Sequence, residues 1–326
     1  MIKRDYFVLA DAMRIFFICV MVFLLMNFLP YFWIGENAYR GVFPWITGLL
    51  ASLSLLASVY IYSNSSKIDF VKATRLDVKP DGRRVFAALA VTVGLILLML
   101  PVVDLYTEFL IKIGYKPSGL SPQNIAETII FVVAACIVAP VTEEIFMRGA
   151  VAGGFSSMGK VGASLMSGFL FMIFHMSPES TLHQFVLGAV LGYMYLTSGS
   201  VWVPILTHFF NNIISVALAL FLPEVWYRII FHNYVWATLA VGAVLTAAGL
   251  LLFAKSRPDN FKTFAERRKP KVFDEFGFGE IAAANPPRAA ARDRFLFWIA
   301  EWFAASSIIL NEPIDRYRQR WFNGLK

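Results

Sequence analysis

The chain has 326 residues, of which 58% are hydrophobic and only 16% charged, and its formal net charge is +7. That apolar share excludes an ordinary soluble domain of this length. Five of the seven net positive charges fall in residues 255–326, where no nucleic-acid recognition module accompanies them, so a nucleic-acid partner is not expected.

The apolar residues gather into long blocks, and a helix needs about 20 of them to cross roughly 30 Å of hydrocarbon. The pattern predicts an all-α, polytopic transmembrane bundle of about eight spans, at residues 15–34, 43–62, 85–103, 128–154, 161–176, 183–198, 201–221 and 235–254. The first run is too long for a signal-peptide core and no small-x-small site follows it, so it is expected to remain a span. Cys19 and Cys136 lie inside spans without metal-ligand spacing and read as small buried hydrophobes. The pairs Gly149/Gly153 and Gly188/Gly192 have GxxxG spacing, which lets helices approach closely. His183 and His232 read as interface residues at one membrane face, and Glu127 as a solvated residue at a span's outer edge.

Lys3, Arg4, Arg14, the loop from Lys67 to Arg84, Arg148, Lys160 and the C-terminal tail fall on one side, against Arg40, Lys112, Lys116 and Arg228 on the other. This bias predicts that both termini are cytoplasmic. Beyond the last span, 266-ERRKPK-271 reads as an anchor to anionic headgroups. The aromatic-rich 295-FLFWIAEWFAASSIIL-310, broken by Glu301, reads as an amphipathic helix lying in the interface. The expected organisation is N-terminal spans over 1–124, a catalytic core over 125–220, a last span within 221–254 and a basic cytosolic tail over 255–326.

Charged groups deep in a bilayer are expensive, which singles out 141-VTEEIFMRGAV-151. Glu144 and Arg148 stand at i,i+4 and can neutralise one another, but Glu143 has no partner on its own helix face. Two further spans bring His175, and His208 with Asn212 one turn on. Counted along their helices, Glu143, His175 and His208 lie roughly 18, 22 and 13 Å from the cytoplasmic ends, a spread that tilt can absorb. Such a set suits peptide hydrolysis: a glutamate takes a proton from water, a histidine orients that water, and a histidine with an asparagine holds the oxyanion. Glu143, His175 and His208 could instead be three ligands of a catalytic zinc with one open position. The residues alone leave both schemes open.

EExxxR at Glu143–Arg148, FxxxH at Phe171–His175 and HxxxN at His208–Asn212 resemble the CPBP family. These are the CAAX-protease and bacteriocin-processing membrane proteins, also called Abi, related to the type II CAAX prenyl endopeptidases. The resemblance covers roughly residues 125–220. It implies an intramembrane endopeptidase of a bacterial plasma membrane, with a cavity open toward the cytosol and a membrane-associated protein or peptide as substrate. It further implies that Glu143 and His175 activate the water, that His208 and Asn212 hold the oxyanion, and that Glu144 and Arg148 support them. Two other readings compete. An ion-coupled transporter would show paired broken helices in two halves, whereas the polar groups here are confined to the fourth, fifth and seventh spans, with no counterpart in the first three. A non-proteolytic scaffold or immunity protein would have no use for the full Glu, His, His and Asn set.

Overall fold

A computed structural model of the chain describes residues 3–35, 40–116, 122–222 and 224–256. The expected interfacial helix over 295–310 and the basic run 266–271 lie outside the described residues. Those described are helical and form no named strand; one isolated bridge pairs Arg4 with Ile68.

The first two spans are α1 (Leu9–Ile34) and α2 (Phe43–Ser65), packed on each other. Asp11 fixes the start of α1: its carboxylate accepts from the Val8 N–H at 3.0 Å and from the Tyr62 hydroxyl of α2 at 2.9 Å. A short α3 (Phe70–Thr74), capped by Asp69, leads to α4 (Gly82–Lys112), capped by Asp81. The intervening loop is stitched to a distant turn. Arg75 Nε donates to Gly199 O, the Ser200 hydroxyl to Val78 O and the Trp202 indole to Leu76 O.

The next run is helical from Ile125 but changes winding as it goes. It passes through α5 (Ile125–Val132), a π-helical stretch Val133–Val138, α6 (Ala139–Glu144), a second π-helical stretch Ile145–Val151 and a 3₁₀ stretch Ala152–Met158. At Gly159, with φ at +76°, the chain turns into α7 (Gly159–His175). Phe146 and Phe174 would be about 42 Å apart on one straight helix, yet their ring centroids are 5.5 Å apart. The run therefore folds back at Gly159 into two antiparallel legs.

Next come α8 (Thr181–Ser198), α9 (Trp202–Phe221), the short α10 (Glu224–Arg228) with a π turn Ile229–Asn233, and α11 (Val235–Lys255). Six helical runs among the described residues are long and apolar enough to cross a membrane, and one of them is Ile125–His175, which Gly159 divides. α8, with His183 and Gln184 in its first turn, is not among the six. The chain is thus a polytopic helical membrane protein, and among the described residues every long apolar block lies in a helix.

Two glycine-lined seams bring helices together. On α8, a Cβ at Gly188 would lie 2.9 Å from both Gly168 Cα and Phe171 Cβ of α7, and one at Gly192 would lie 3.0 Å from Ser167 Cβ. On α4 and α11, a Cβ at Gly94 would lie 2.5 Å from the Thr246 nitrogen, and one at Gly242 2.7 Å from the Leu98 nitrogen. Small residues serve here as expected where dispersion and close backbone contact drive association in lipid. Gly149 faces Thr74 of α3. Where α4, α8, α9 and α11 meet, Val91, Leu95, Leu191, Met194, Val203 and Phe253 form a buried apolar core. The winding run from Ile125 to Met158 packs between α1 and α2 on one side and α9 on the other, which places the glutamates inside the bundle.

Glu127 corrects one expectation. It is buried, not solvated, because it closes the N-terminus of α5: Asn124 accepts from the Glu127 N–H, while Glu127 accepts from the Asn124 amide at 2.7 Å and from the Gln123 N–H at 2.9 Å. This reciprocal bonding satisfies donors that a helix start would leave bare.

Candidate active site

Glu143 and Glu144 sit at the end of α6, flanked on both sides by π-helical stretches, a winding often found at functional sites. Adjacent positions on a helix point about 100° apart, so the two carboxylates address different neighbours. Glu144 turns toward α9 and is fully buried. Its Oε1 accepts from Arg148 Nη1 at 2.7 Å and from His208 Nδ1 at 2.9 Å. Arg148, also fully buried, gives Nη2–H to Gly188 O at 3.0 Å and lies 4.4 Å over the Phe171 ring. One guanidinium thus ties the glutamate helix to both α8 and α7. The close α7–α8 seam at Gly188 is what brings that carbonyl within reach.

Glu143 turns toward α7. Its Oε2 lies 3.8 Å from His175 Nε2, too long for a hydrogen bond, and it is buried with no hydrogen-bond partner. Buried carboxylate oxygens are rarely left so, since an unmet acceptor costs desolvation free energy. His175 Nδ1 lies 2.9 Å from Phe171 O. A carbonyl only accepts, so Nδ1 carries the hydrogen, and in the neutral ring Nε2 is left as an acceptor facing Glu143. A water resting against both groups would give one hydrogen to each.

On α9, His208 is buried and Asn212 half-buried. Asn212 donates Nδ2–H to Ala135 O at 2.8 Å, and its Oδ1 accepts from Asn211 Nδ2 at 3.0 Å. The fold therefore brings Glu143 to His175, ties Glu144, Arg148 and His208 into one network, and holds Asn212 on the same helix as His208, against the first π-helical stretch. All six residues singled out in the sequence take part in these contacts.

Two residues went unrecognised in the sequence. Asn211 is 2% exposed with an unpartnered Oδ1. His183, expected at a membrane face, is half-buried beside Asn211 and within electrostatic range of His175 and His208. Its place comes from the short turn between α7 and α8, which sets the first turn of α8 next to His175 at the end of α7. The adjacency of His183 to the turn after 171-FMIFH-175 was the available signal. His232, by contrast, stays half-exposed, 3.8 Å from Asp104.

Among the described residues no three His, Cys, Asp or Glu side chains form a group that could hold a metal ion. The set Glu143, His175 and His208 is thus not gathered into a metal-binding group, and His208 gives its Nδ1–H to Glu144 while its Nε2 stays free. Cys19 and Cys136 are buried and free.

No curated protein and no solved structure matches the chain. A family model, "Type II CAAX prenyl endopeptidase Rce1-like", matches residues 125–214, which include every residue of the cluster. In that segment the chain is similar to the Rce1-like family of type II CAAX prenyl endopeptidases, the membrane-protease family to which its three motifs point.

Proposed function

We propose that this protein is an intramembrane endopeptidase that hydrolyses a peptide bond of a membrane-associated protein or peptide, in CAAX-type or peptide-maturation processing, with water activated by Glu143. The observation that carries the reading is the buried, unpartnered Oε2 of Glu143 beside Nε2 of His175. The family-level similarity to a CAAX-type membrane protease supports it.

The water oxygen attacks the scissile carbonyl carbon as one of its protons passes to Glu143, while His175 Nε2 accepts a hydrogen bond from the other and aligns the lone pair. The carbonyl oxygen becomes an oxyanion. Asn212 has a second N–H to offer it, and His208, bonded to Glu144 through Nδ1, adds a donor at Nε2 when its ring is protonated. Collapse of the tetrahedral intermediate breaks the C–N bond, and the proton on Glu143 goes to the departing amine. Glu144 and Arg148 touch none of the reacting atoms. They hold His208 and the helix that carries Glu143.

The test compares protein termini by mass spectrometry in membranes from cells expressing the wild type or Glu143→Gln at equal abundance. New C-termini or released short peptides seen only with the wild type establish the protease and name its substrates. Identical termini, with both proteins folded, would favour the scaffold or immunity reading.

A further inference from the structure

The oxyanion donor is held by a chain of hydrogen bonds that begins with a missing one. In an α-helix the carbonyl of Ala135 would accept from the N–H of Ala139. The stretch Val133–Val138 is π-helical, and the Ala139 N–H goes to Ala134 O. The π-helical partner of Ala135 O would be the nitrogen of residue 140, which is a proline and has no N–H. Neither backbone donor is available, and the Asn212 amide fills the place, Nδ2 to Ala135 O at 2.8 Å.

Donor and acceptor chemistry then fixes the orientation of both amides. Because Ala135 O only accepts, the NH₂ of Asn212 must face it, which turns Asn212 Oδ1 the other way. There it accepts from Asn211 Nδ2 at 3.0 Å. Asn211 must therefore present its own NH₂ to Asn212, leaving its Oδ1, buried and unpartnered, turned elsewhere. The imidazole of His183 stands beside that amide.

We propose that Asn211 is a positioning residue for the hydrolysis, and that Pro140 in its π-helical setting creates the acceptor that completes the clamp. A flipped Asn212 would set its carbonyl oxygen against the developing oxyanion, replacing attraction with repulsion. Bonds on both ends of the amide prevent the flip. The proposal rests on the reading of Asn212 as an oxyanion donor, and it assigns to Asn211 and Pro140 a role that acts through Asn212.

The test uses the full chain in detergent and a fluorogenic farnesylated CAAX peptide. Asn211→Asp keeps the shape but replaces the NH₂ donor by an oxygen, and kcat should fall about 10- to 100-fold with KM unchanged, up to the lower end of the loss for a whole oxyanion donor. In an Asn212→Ala background the same substitution should cost nothing further, because its only route is gone. Pro140→Ala returns an N–H able to compete for Ala135 O, so kcat should fall while the thermal midpoint holds or rises. Equal losses from Asn211→Asp with and without Asn212, or an unchanged kcat, would overturn the proposal. If the wild type does not cleave the peptide, the function reading has failed for that substrate, and the clamp is then read directly. With ¹⁵N-labelled asparagine, the Asn212 NH₂ signals, assigned by their loss in Asn212→Ala, should move in both Asn211→Asp and Pro140→Ala. Signals that stay in place would refute the clamp.

Discussion

Replacing Arg148 by methionine removes a fully buried cation of similar length, and three partners lose their donor or cation at once. The Glu144 carboxylate, itself fully buried, keeps only His208; Gly188 O loses its bond; and Phe171 loses the guanidinium over its face. Breaking one partner out of a buried pair costs about 3–5 kcal/mol, because the remaining charge is stranded in a low-dielectric interior. At roughly 2–4 °C per kcal/mol for a chain of this size, the midpoint of unfolding should drop by about 6–20 °C. The assay is intrinsic-fluorescence melting in one detergent at one scan rate. Arg148→Lys should recover little, since an ammonium cannot serve Glu144 Oε1 and Gly188 O in the same fork geometry. The pair Glu144→Gln with Arg148→Met should regain most of the stability, as no charge is then stranded, while remaining inactive because His208 has lost its carboxylate. A single Arg148→Met variant melting within about 2 °C of the wild type, less than 1 kcal/mol on the same scale, would refute this reasoning. So would a double variant as unstable as the single.

Glu143→Gln should lower turnover by at least about 10²-fold, the usual yield of a general base. Its midpoint should be unchanged or raised, because the replaced oxygen has no partner to lose; a lowered midpoint in thermal melting would contradict this. Gly188→Ala places a Cβ 2.9 Å from Gly168 Cα and should destabilise by about 1–3 kcal/mol, whereas Gly48→Ala, with nothing within 4 Å, should be neutral or stabilising in the same assay. Prolonged dialysis against a zinc chelator should leave activity and melting unchanged, and elemental analysis should find no stoichiometric zinc. Activity that disappears and returns only with added zinc would reverse the assignment of the water-activating group to Glu143 alone.

The apolar blocks and the polar residues inside them were legible because lipid makes both conspicuous: a helix must be apolar for the length of the hydrocarbon, and any charge within it stands out. The pairing of Glu144 with Arg148 is set by helical spacing, and the fold shows it. The change of winding around Glu143 was not legible. An α-helix and a π-helix place the same residues in the same order, and only the hydrogen-bond register, seen at Ala139 and Ala134, tells them apart. The position of His183 was hidden for another reason. Its nearness to the site depends on α7 ending at His175 within the site and α8 beginning only a short turn later, which helical spacing alone does not reveal. Glu127 was misjudged in a similar way, since proximity to a span's edge says nothing about whether local capping will bury a carboxylate.

The loop between α3 and α4 meets the turn between α8 and α9 through Arg75, Val78 and Leu76 on one side and Gly199, Ser200 and Trp202 on the other. Each of the three bonds runs from a side-chain donor to a backbone carbonyl, so the joint needs Arg75, Ser200 and Trp202 on one end and only a correctly placed backbone on the other. The family-matched segment is therefore not a cassette that can be lifted out. Cut free of the first four helices, it would lose the surface that seats α9 and with it the register of His208 against Glu144. Two fragments divided between Lys112 and Asn124 and produced together should find each other through this joint, and activity restored by such mixing would mark it as the place where the two halves become one machine.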